Sequence, residues 1–246
     1  MNTSVITVTY NNAEGLNKTL ESLCLLKVKP YEIIIIDANS IDNTKAIVKK
    51  YSDMNIIYIC EKDNGIYDAM NKGLRLARGK LLHYLNAGDC VSGEIYADLN
   101  GPCLLKVGLF DKDNLIGFSS LTHSNTGYCH QGIIFPSKHP IYDLKYKLCA
   151  DYKLIQMVFP MGLKQLPLIS NGFIKYDMGG VSANKRFLRD KELLQIMLET
   201  NKKTLIKFIP LMVIKMVFPK KIRRILRRVN YYFSLILTKF YLNIAR

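Results

Sequence analysis

The chain has 246 residues, 49% of them hydrophobic, and a formal net charge of +15. The length favours one main domain with an appendage, and the hydrophobic content is enough for a complete core. The charge is unevenly distributed, because residues 200–246 contain twelve of the 35 Lys and Arg residues and none of the 20 Asp and Glu residues. A uniformly basic protein is therefore excluded, and most of the net positive charge lies in this C-terminal tail.

The six cysteines and the N-terminus exclude two further classes. No two cysteines form a C-x-x-C motif, and several lie in apolar patterns, so free thiols in a reducing compartment are expected rather than a disulfide framework or a zinc site. The sequence starts directly as a strand, with no basic segment followed by an apolar one, so no secretory signal is predicted.

The first 85 residues alternate between strand and helix patterns. The β-branched run at 4–10 predicts the first strand, and four consecutive isoleucines within Glu32–Asp37 predict a strand buried on both faces. Two further strands are predicted at 55–60 and 80–85. Helices are predicted from the turn at Asn11-Asn12 to about residue 26, from the cap Asp42 to residue 51, and at 66–78 with Gly79 at C′. This alternation indicates βαβ units and a parallel sheet.

Polar loops follow all four of these strands. They occupy residues 9–12, 37–42, 61–68 and 86–90, and each contains Asp, Asn, Ser or Thr. Because the carboxyl ends of parallel strands lie at one edge of the sheet, where open α/β sheets bind ligands, we expect a polar ligand there.

Residues 92–182 have a weaker pattern. One or two strands and a loop are expected in 92–127, followed by an apolar strand at 129–136 that begins with the polar pair His130-Gln131. A helix is expected to start near Asp151, and 176–182 is a glycine loop.

Two common nucleotide-binding motifs are missing from the sequence. No G-x-G-x-x-G follows the first strand and no G-x-x-x-x-G-K-[ST] occurs, which argues against a nicotinamide dehydrogenase and a P-loop enzyme. A diphosphate can instead be held by a divalent cation and a carboxylate. Asp89, at a strand's carboxyl end, is suitable for this, and Asp37 can accept hydrogen bonds from a base or ribose. Taken singly, either aspartate could also be a turn former or a helix cap.

Three segments carry a family resemblance: VITVTYN at 5–11, IIDANSIDNT at 35–44, and EKDNGIYDAMNKGLRLARGKLLHYLNAGD at 61–89. On these segments the chain resembles family 2 glycosyltransferases, whose fold is the α/β GT-A fold of nucleotide-diphospho-sugar transferases, with a mostly parallel central sheet. Within that family it is similar to bacterial exopolysaccharide and O-antigen transferases of the colanic-acid type. The residues that match this subgroup are His130-Gln131 with Phe135-Pro136, Asp143-Leu144 with Tyr146-Lys147, Ala150-Asp151-Tyr152, and Met178-Gly179-Gly180-Val181-Ser182.

The resemblance also implies roles for individual residues. Asp151 would be the catalytic base, and Asp89 would hold Mg²⁺ or Mn²⁺ on the donor diphosphate. Many relatives read Asn-Ser-Asp-Asp where this chain reads Asn86-Ala87-Gly88-Asp89, so one carboxylate remains for the metal. The residues expected to bind the nucleotide sugar are Thr9, Asn11 and Asp37 in the nucleotide pocket, with Ser40, Asp63, Gly65, Asn71 and Lys72 on the donor side.

His130 and the loop at 176–182 each admit two interpretations. His130 either contacts the diphosphate or acceptor, which places it among the substrate-binding candidates, or is a strand-end histidine satisfied by backbone. His83 lies in an apolar strand and is expected in the core. The loop at 176–182 is either a simple turn or a mobile flap over the donor.

The basic tail has the pattern of a helix at a membrane surface. At 100° per residue, its six Lys and Arg residues between 220 and 228 fall on one side and the apolar residues on the other. The flanking apolar segments do not reach 18 clean apolar residues, so a helix lying in the interface of an anionic bilayer is favoured over a spanning helix. A solvated basic face packed on the main domain is the alternative. A nucleic-acid partner is not expected, because no binding module is recognised.

Together these patterns predict a GT-A domain at residues 1–185 and a basic, helical, membrane-associating tail at 186–246. The expected function is inverting transfer of a hexose from a nucleotide sugar, UDP-linked, to a lipid-linked (polyprenyl diphosphate) saccharide in bacterial surface polysaccharide synthesis. The expected location is cytoplasmic, peripheral on the inner face of the plasma membrane. Two alternatives remain: a sugar-phosphate nucleotidyltransferase, which would need a glycine-rich basic loop after the first strand, and a non-catalytic relative in an assembly complex.

Overall fold

The computed structural model describes residues 2–111, 114–119, 128–177 and 185–200. It divides into two compact units, Met1–Arg186 and Phe187–Arg246, which are described separately. Among the described residues, no helix combines the length and the apolar character needed to cross a bilayer.

The first four strands form the parallel half of the sheet. They are β1 (Thr3–Thr9), β2 (Glu32–Asp37), β3 (Ile56–Cys60) and β4 (Leu81–Tyr84), in the spatial order β3-β2-β1-β4. The pairings between these neighbours are all parallel, and the connections contain α1 (Ala13–Cys24), α2 (Thr44–Lys50) and α3 (Ile66–Leu76). The βαβ units predicted from the sequence are therefore confirmed.

The remaining strands extend this sheet with mixed pairing. They are β5 (Cys90–Gly93), β6 (Cys103–Asp111), β7 (Asn114–Phe118), β8 (Ile133–Pro136) and β9 (Leu168–Asp177), and they continue from β4 in the order β8-β6-β9-β5, with β7 on β6. Strand β8 runs antiparallel to β4, so the turn His130–Gly132 that precedes β8 lies at the carboxyl end of β4. Helix α4 (Ala150–Val158) begins beside Asp151, as predicted.

Strands β1 and β2 form the centre of the core. Every residue of both strands is buried, and the four isoleucines of β2 are at most 1% exposed. Burying four such side chains contributes on the order of 6–12 kcal/mol before the entropy of ordering the chain is subtracted. A continuous apolar run is required here because both faces of β2 are covered.

The end of α3 differs from the prediction. The helix ends before residue 78 and Ala77 is extended (φ −67°, ψ 132°), so Gly79 is not a left-handed C′ residue. Gly79 instead lies against β1: its N–H donates to Ser4 Oγ at 2.7 Å, and a Cβ there would come within 2.6 Å of the Ser4 nitrogen. Buried Glu32 completes the contact by accepting from Ser4 Oγ (2.5 Å) and from the Arg78 N–H (2.6 Å). Close approach of two backbones, rather than helix termination, is therefore the reason for the glycine.

The starts of α1 and α2 are stabilised by side chains close to those predicted. Asn12 is the N-cap of α1, and its Oδ1 accepts from the Gly15 N–H at 3.1 Å, which confirms the predicted cap. At α2 the N-cap residue is Asn43 rather than Asp42. Asp42 still accepts from the N–H (3.1 Å) and the hydroxyl (2.6 Å) of Thr44, so it satisfies the first turn from one position earlier.

Two predicted features fall wholly or partly outside the described residues. The described part of the second unit, residues 187–200, belongs to helix α5 (Arg186–Thr200). The predicted basic amphipathic helix with its apolar flanks lies in 201–246, outside the described residues. The predicted glycine loop is divided, because Tyr176 and Asp177 belong to β9 while 178–182 are not described.

Candidate active site

Hydrogen bonds join the loops after β1 and β2. The Asn11 N–H donates to Ser40 Oγ at 2.8 Å, and Asn11 Oδ1 accepts from the Ile41 N–H at 2.9 Å. The Ala13 N–H adds a third bond, to Asp42 Oδ2 at 2.9 Å. Asn11 adopts φ 46°, a left-handed conformation that asparagine tolerates, so the chain turns sharply as it leaves β1. The structure therefore brings together the predicted residues Asn11 and Ser40.

The loop after β4 is fastened at the same edge of the sheet. Asn12 Nδ2 donates to the Ala87 carbonyl at 3.1 Å. Thr19 on α1 accepts from the Gly88 N–H at 3.0 Å and donates to the Asp89 carbonyl at 2.8 Å. Gly88 has φ 107°, which side-chain-bearing residues avoid, so the turn into Asp89 requires glycine. The loops that carry Asn11, Ser40 and Asp89 thus form one connected rim.

Asp37 anchors the part of this rim that follows β2. It is 1% exposed; its Oδ1 accepts from the N–H (2.9 Å) and hydroxyl (2.5 Å) of Ser40, and its Oδ2 accepts from the Tyr58 hydroxyl (2.6 Å). Burial, followed by the bond to Asp37, raises the pKa of Tyr58, so the phenol stays protonated and donates. Thr9, opposite Asp37 in the sheet, is buried and its Oγ1 has no hydrogen-bond partner among the described residues. That hydroxyl is therefore a buried, unpaired polar group beside Asp37.

Three further predicted residues belong to or contact the loop after β3. Asp63 Oδ1 accepts from the Gly65 N–H at 2.8 Å, and Gly65 has φ 113° with no atom within 4 Å of an added Cβ. Lys72 on α3 pairs with Glu61 (Nζ to Oε1, 2.8 Å) and donates to the Lys62 carbonyl at 2.6 Å. The Lys72 ammonium is therefore tied to the start of the same loop, where it reinforces the loop's conformation.

Asn71 differs from the prediction that it binds the donor. It is 2% exposed, and its amide binds the backbone of Tyr142: Nδ2 donates to the carbonyl at 3.0 Å, and Oδ1 accepts from the N–H at 2.7 Å. Because an amide buried in this way pairs with protein backbone, Asn71 clamps α3 to the segment before α4 rather than facing a ligand.

Asp89 is the most deeply buried acid of the rim after Asp37. It is 5% exposed, and burial raises its pKa to about 7; the negative charge of Asp177 adds to this, while hydrogen bonds from the Asp177 N–H (3.4 Å to Oδ1) and from Gln131 oppose it. Across residues 2–111, 114–119, 128–177 and 185–200, no group of three or more His, Cys, Asp or Glu residues could hold a metal ion. A cation at this edge would therefore depend on Asp89, Asp177 and oxygens of a ligand.

Asp151 lies in the first turn of α4 and is held from two sides. Its Oδ1 accepts from the Tyr152 N–H at 2.8 Å and from the Tyr67 hydroxyl at 3.0 Å. Asp151 and Asp89 both act electrostatically on the thiol of Cys129. Burial raises the pKa of Cys129, and the negative charges of Asp89 and Asp151 raise it further. The metal-site candidate and the base candidate thus lie within electrostatic reach of one side chain.

His130 is buried in an aromatic cluster rather than presented to a substrate. It is 5% exposed, its Nε2 lies 2.5 Å from the Tyr142 hydroxyl, and its ring stacks on Tyr84 with centroids 5.2 Å apart. Burial lowers its pKa to about 3, so the ring is neutral. This differs from the predicted substrate contact, and its partner is a tyrosine rather than backbone. His83 is fully buried, which confirms the prediction of a core histidine.

Sequence reasoning missed the side chains that hold the acids in place. Tyr58 and Tyr67 donate to Asp37 and Asp151, and their partners are 21 and 84 residues away in sequence. Each tyrosine occupies a position that suits the core, in β3 and in the first turn of α3. The sequence offered one signal, for Tyr67 alone: this residue lies within the family-like segment 61–89. That segment does not reveal that its partner is Asp151.

The chain is similar in sequence to known glycosyltransferases. Residues 4–96, from β1 to β5, match the sequence model of the family "Glycosyl transferase family 2". An uncharacterized glycosyltransferase of Mycobacterium tuberculosis (strain CDC 1551 / Oshkosh) is 36% identical over 175 residues, which are 62% of this chain and 66% of that protein. The chain therefore spans just under two thirds of the length of this curated relative.

Solved structures share the fold at low sequence identity. S. aureus TarS 1-349 in complex with UDP matches with a TM-score of 0.61 and 16% identity, over 81% of this chain and 65% of that chain. The mannosyltransferase PcManGT from Pyrobaculum calidifontis, in complex with GDP-Man and Mn2+, matches with a TM-score of 0.56 and 15% identity, over 95% of this chain and 80% of that chain. The predicted GT-A fold is confirmed.

Proposed function

We propose that the protein transfers a hexose from a UDP-linked sugar to a lipid-linked (polyprenyl diphosphate) saccharide, with inversion at the anomeric carbon. The starting point is the match of residues 4–96 to the family 2 glycosyltransferase model. The observation that carries the proposal is the connected rim at the carboxyl edge of β1, β2 and β4. It holds Asp37, at the end of β2, and Asp89, in the loop after β4, on strands two apart in the sheet, and the charges of Asp89 and Asp151 both act on the Cys129 thiol.

The donor half of the proposal rests on the first two loops. Asp37 is fixed by Ser40 and Tyr58, and the unpaired Thr9 hydroxyl lies beside it. A preorganised set of polar groups of this kind can bind a nucleotide without a glycine-rich phosphate loop if the diphosphate is held elsewhere. Proteins of the same fold are known in complex with UDP and with GDP-Man, which supports a nucleotide-sugar donor.

A divalent cation, Mg²⁺ or Mn²⁺, fits the carboxyl end of β4. Asp89 is nearly excluded from water and its pKa is raised to about 7, which is costly for an isolated anion and is relieved by a bound cation. Asp177 offers a second carboxylate, which compensates for the missing acid in Asn86-Ala87-Gly88-Asp89. When bound, such a cation neutralises charge on the leaving diphosphate. Mn2+ accompanies GDP-Man in the structurally similar mannosyltransferase.

In the proposed reaction the acceptor hydroxyl attacks the anomeric carbon in line with the departing diphosphate. The new oxygen–carbon bond forms as the carbon–oxygen bond to the diphosphate breaks, and the nucleoside diphosphate leaves with the bonding electrons. Asp151 takes the hydroxyl proton while the oxygen attacks, which is general base catalysis. One displacement of this kind inverts the anomeric carbon and needs no covalent intermediate.

The test is Asp151→Asn, assayed with UDP-hexoses, Mn²⁺ and a polyprenyl diphosphate saccharide in vesicles. Loss of the base is expected to lower kcat by about 10²–10⁴-fold, while donor binding, followed by thermal shift, stays near wild type. Asp143→Asn is the matched control, because Asp143 is an acid of the same region that pairs with Lys153 (2.8 Å). Near-normal turnover in Asp151→Asn, or retention of the anomeric configuration in the product, would refute the proposal.

The membrane part of the proposal rests on the sequence of the tail. Its basic and apolar faces suit the anionic inner leaflet, where each Lys or Arg near the surface contributes about 1 kcal/mol, and lipid-linked acceptors lie in the same leaflet. Deleting residues 200–246 is expected to move the protein from the membrane fraction to the soluble fraction of a bacterial lysate. Unchanged fractionation would contradict membrane association.

A further inference from the structure

We infer that Tyr67 is a positioning residue for Asp151, which it holds through its hydroxyl while a stack of buried rings holds Tyr67 itself. The inference rests on the proposed function, in which Asp151 is the base, and adds to it a residue from α3. It assigns the buried rings behind the acid a function: they keep the base in place.

The Tyr67 hydroxyl has two acceptors for its single proton. It lies 3.0 Å from Asp151 Oδ1 and 2.9 Å from the Leu148 carbonyl oxygen. An ionised carboxylate is a stronger acceptor than an amide carbonyl, so the hydroxyl donates to Asp151 while that acid is charged. Once Asp151 has taken a proton, the hydroxyl can turn to Leu148 without losing a bond. The pair therefore supports both protonation states of the base without moving the ring.

The Tyr67 ring is fixed by its neighbours. It is 8% exposed and stacks on the Tyr142 ring, with centroids 5.3 Å apart and planes inclined by 26°. Tyr142 is in turn held by its hydroxyl contact with His130 and by the backbone clamp from Asn71. A ring packed in this way keeps one rotamer, so its hydroxyl stays within reach of the carboxylate.

Tyr67 remains a neutral donor over the whole working range of pH. Burial, followed by the negative charge of Asp151, raises the pKa of Tyr67 well above its ordinary value. Among the described residues, Asp151 also raises the pKa of Tyr142, from the segment before α4, and of Cys129, from the turn before β8. Burial is the first cause of a raised pKa in both, so they too are uncharged, and Cys149 at the start of α4 is a buried thiol. The hydrogen bond to Asp151 therefore comes from a neutral donor.

The experiment is Tyr67→Phe in the full chain, because phenylalanine keeps the ring stacked on Tyr142 and removes the hydroxyl alone. A carboxylate that loses a donor is easier to protonate, so the midpoint of the Asp151 carboxyl titration, followed by carbon-13 NMR, is expected to rise by about one pH unit. Because the base is also less well oriented, kcat for transfer is expected to fall about tenfold with donor KM unchanged. Asp151→Asn identifies the Asp151 resonance.

Tyr96→Phe is the matched control. Its hydroxyl is also buried and lies 2.6 Å from Nδ1 of the core residue His83, so its removal costs a comparable hydrogen bond away from Asp151. We expect a similar fall in Tm for both variants, and a shifted carboxyl midpoint only in Tyr67→Phe. A purely structural role for Tyr67 predicts the fall in Tm without the shift in midpoint.

The proposed function and the inference about Tyr67 can be refuted independently. If the wild type transfers no sugar from any nucleotide donor, the proposed function is refuted, while the carboxyl midpoint still decides whether Tyr67 holds Asp151. An unchanged midpoint in Tyr67→Phe overturns the inference whatever the activity. An unchanged midpoint together with wild-type kcat would leave Tyr67 as a core residue.

Discussion

Replacing Asn71 with alanine tests whether this residue holds the Tyr142 backbone in place or binds the sugar donor. The amide makes hydrogen bonds of 3.0 and 2.7 Å with the carbonyl and N–H of Tyr142, a residue that is 1% exposed. A buried donor or acceptor left unpaired costs about 1–3 kcal/mol, so losing both bonds is expected to lower the free energy of unfolding by about 2–6 kcal/mol. A fold of this size has about 5–15 kcal/mol in total, and Tm falls by about 2–4 °C for each kcal/mol lost.

The assay is urea unfolding of Asn71→Ala together with the donor KM at a temperature where the variant is folded. Asn55→Ala is the matched control, because Asn55 Nδ2 also donates to a backbone carbonyl, that of Tyr31 at 2.8 Å, but on the protein surface. Water replaces an exposed bond, so the control is expected to lose less than about 1 kcal/mol. The clamp interpretation is refuted if Asn71→Ala unfolds at the wild-type urea concentration and its main defect is a raised donor KM.

Two further predictions concern stability away from the site. Burial lowers the pKa of His83 to about 4, below its unfolded value of about 6.5, so its contribution to stability is complete above the unfolded value and is lost as pH falls toward 4. The stability difference between wild type and His83→Gln in urea is therefore expected to shrink by about 2 kcal/mol between pH 7.5 and pH 5; a pH-independent difference would contradict this. Gly79→Ala, whose Cβ would lie 2.6 Å from the Ser4 backbone nitrogen, is expected to lose about 1–3 kcal/mol, whereas Gly101→Ala, with no atom within 4 Å, should be near neutral. Equal urea midpoints for the two alanine variants would count against the close approach of Gly79 to β1.

The fold could be predicted where local sequence decides it. The isoleucine run fixed β2 at Glu32–Asp37, and Asn12 was recognised as a cap because its partner is three residues away. Gly79 was misinterpreted as a helix terminator because its contact, Ser4, is 75 residues distant and leaves no local pattern. Boundaries of this kind are set by packing between elements, which a single sequence does not contain.

The same distinction applies to the candidate site. Asn11, Asp37 and Ser40 could be placed at one edge because parallel strands present their carboxyl ends together. The environments of Asn71 and His130 could not be predicted, because both depend on Tyr142, which is 71 and 12 residues away. A family resemblance aligns such residues with a motif, but it does not distinguish a residue that contacts the substrate from one that holds neighbouring parts of the protein in place.

The burial of β1 and β2 has a consequence for how this enzyme architecture can diversify. Asn11 follows β1 and Asp37 ends β2, two strands in which every residue is buried, whereas Asp177 ends β9, where most side chains reach solvent. Substitutions at the solvent-facing positions of β9 therefore cost little folding free energy, while those along β1 and β2 threaten the whole molecule. Sequence variation is therefore tolerated at the solvent-facing positions of β9 and removed by selection along β1 and β2, so the strand that ends in Asp177 can diverge while the strands that position Asn11 and Asp37 stay constant.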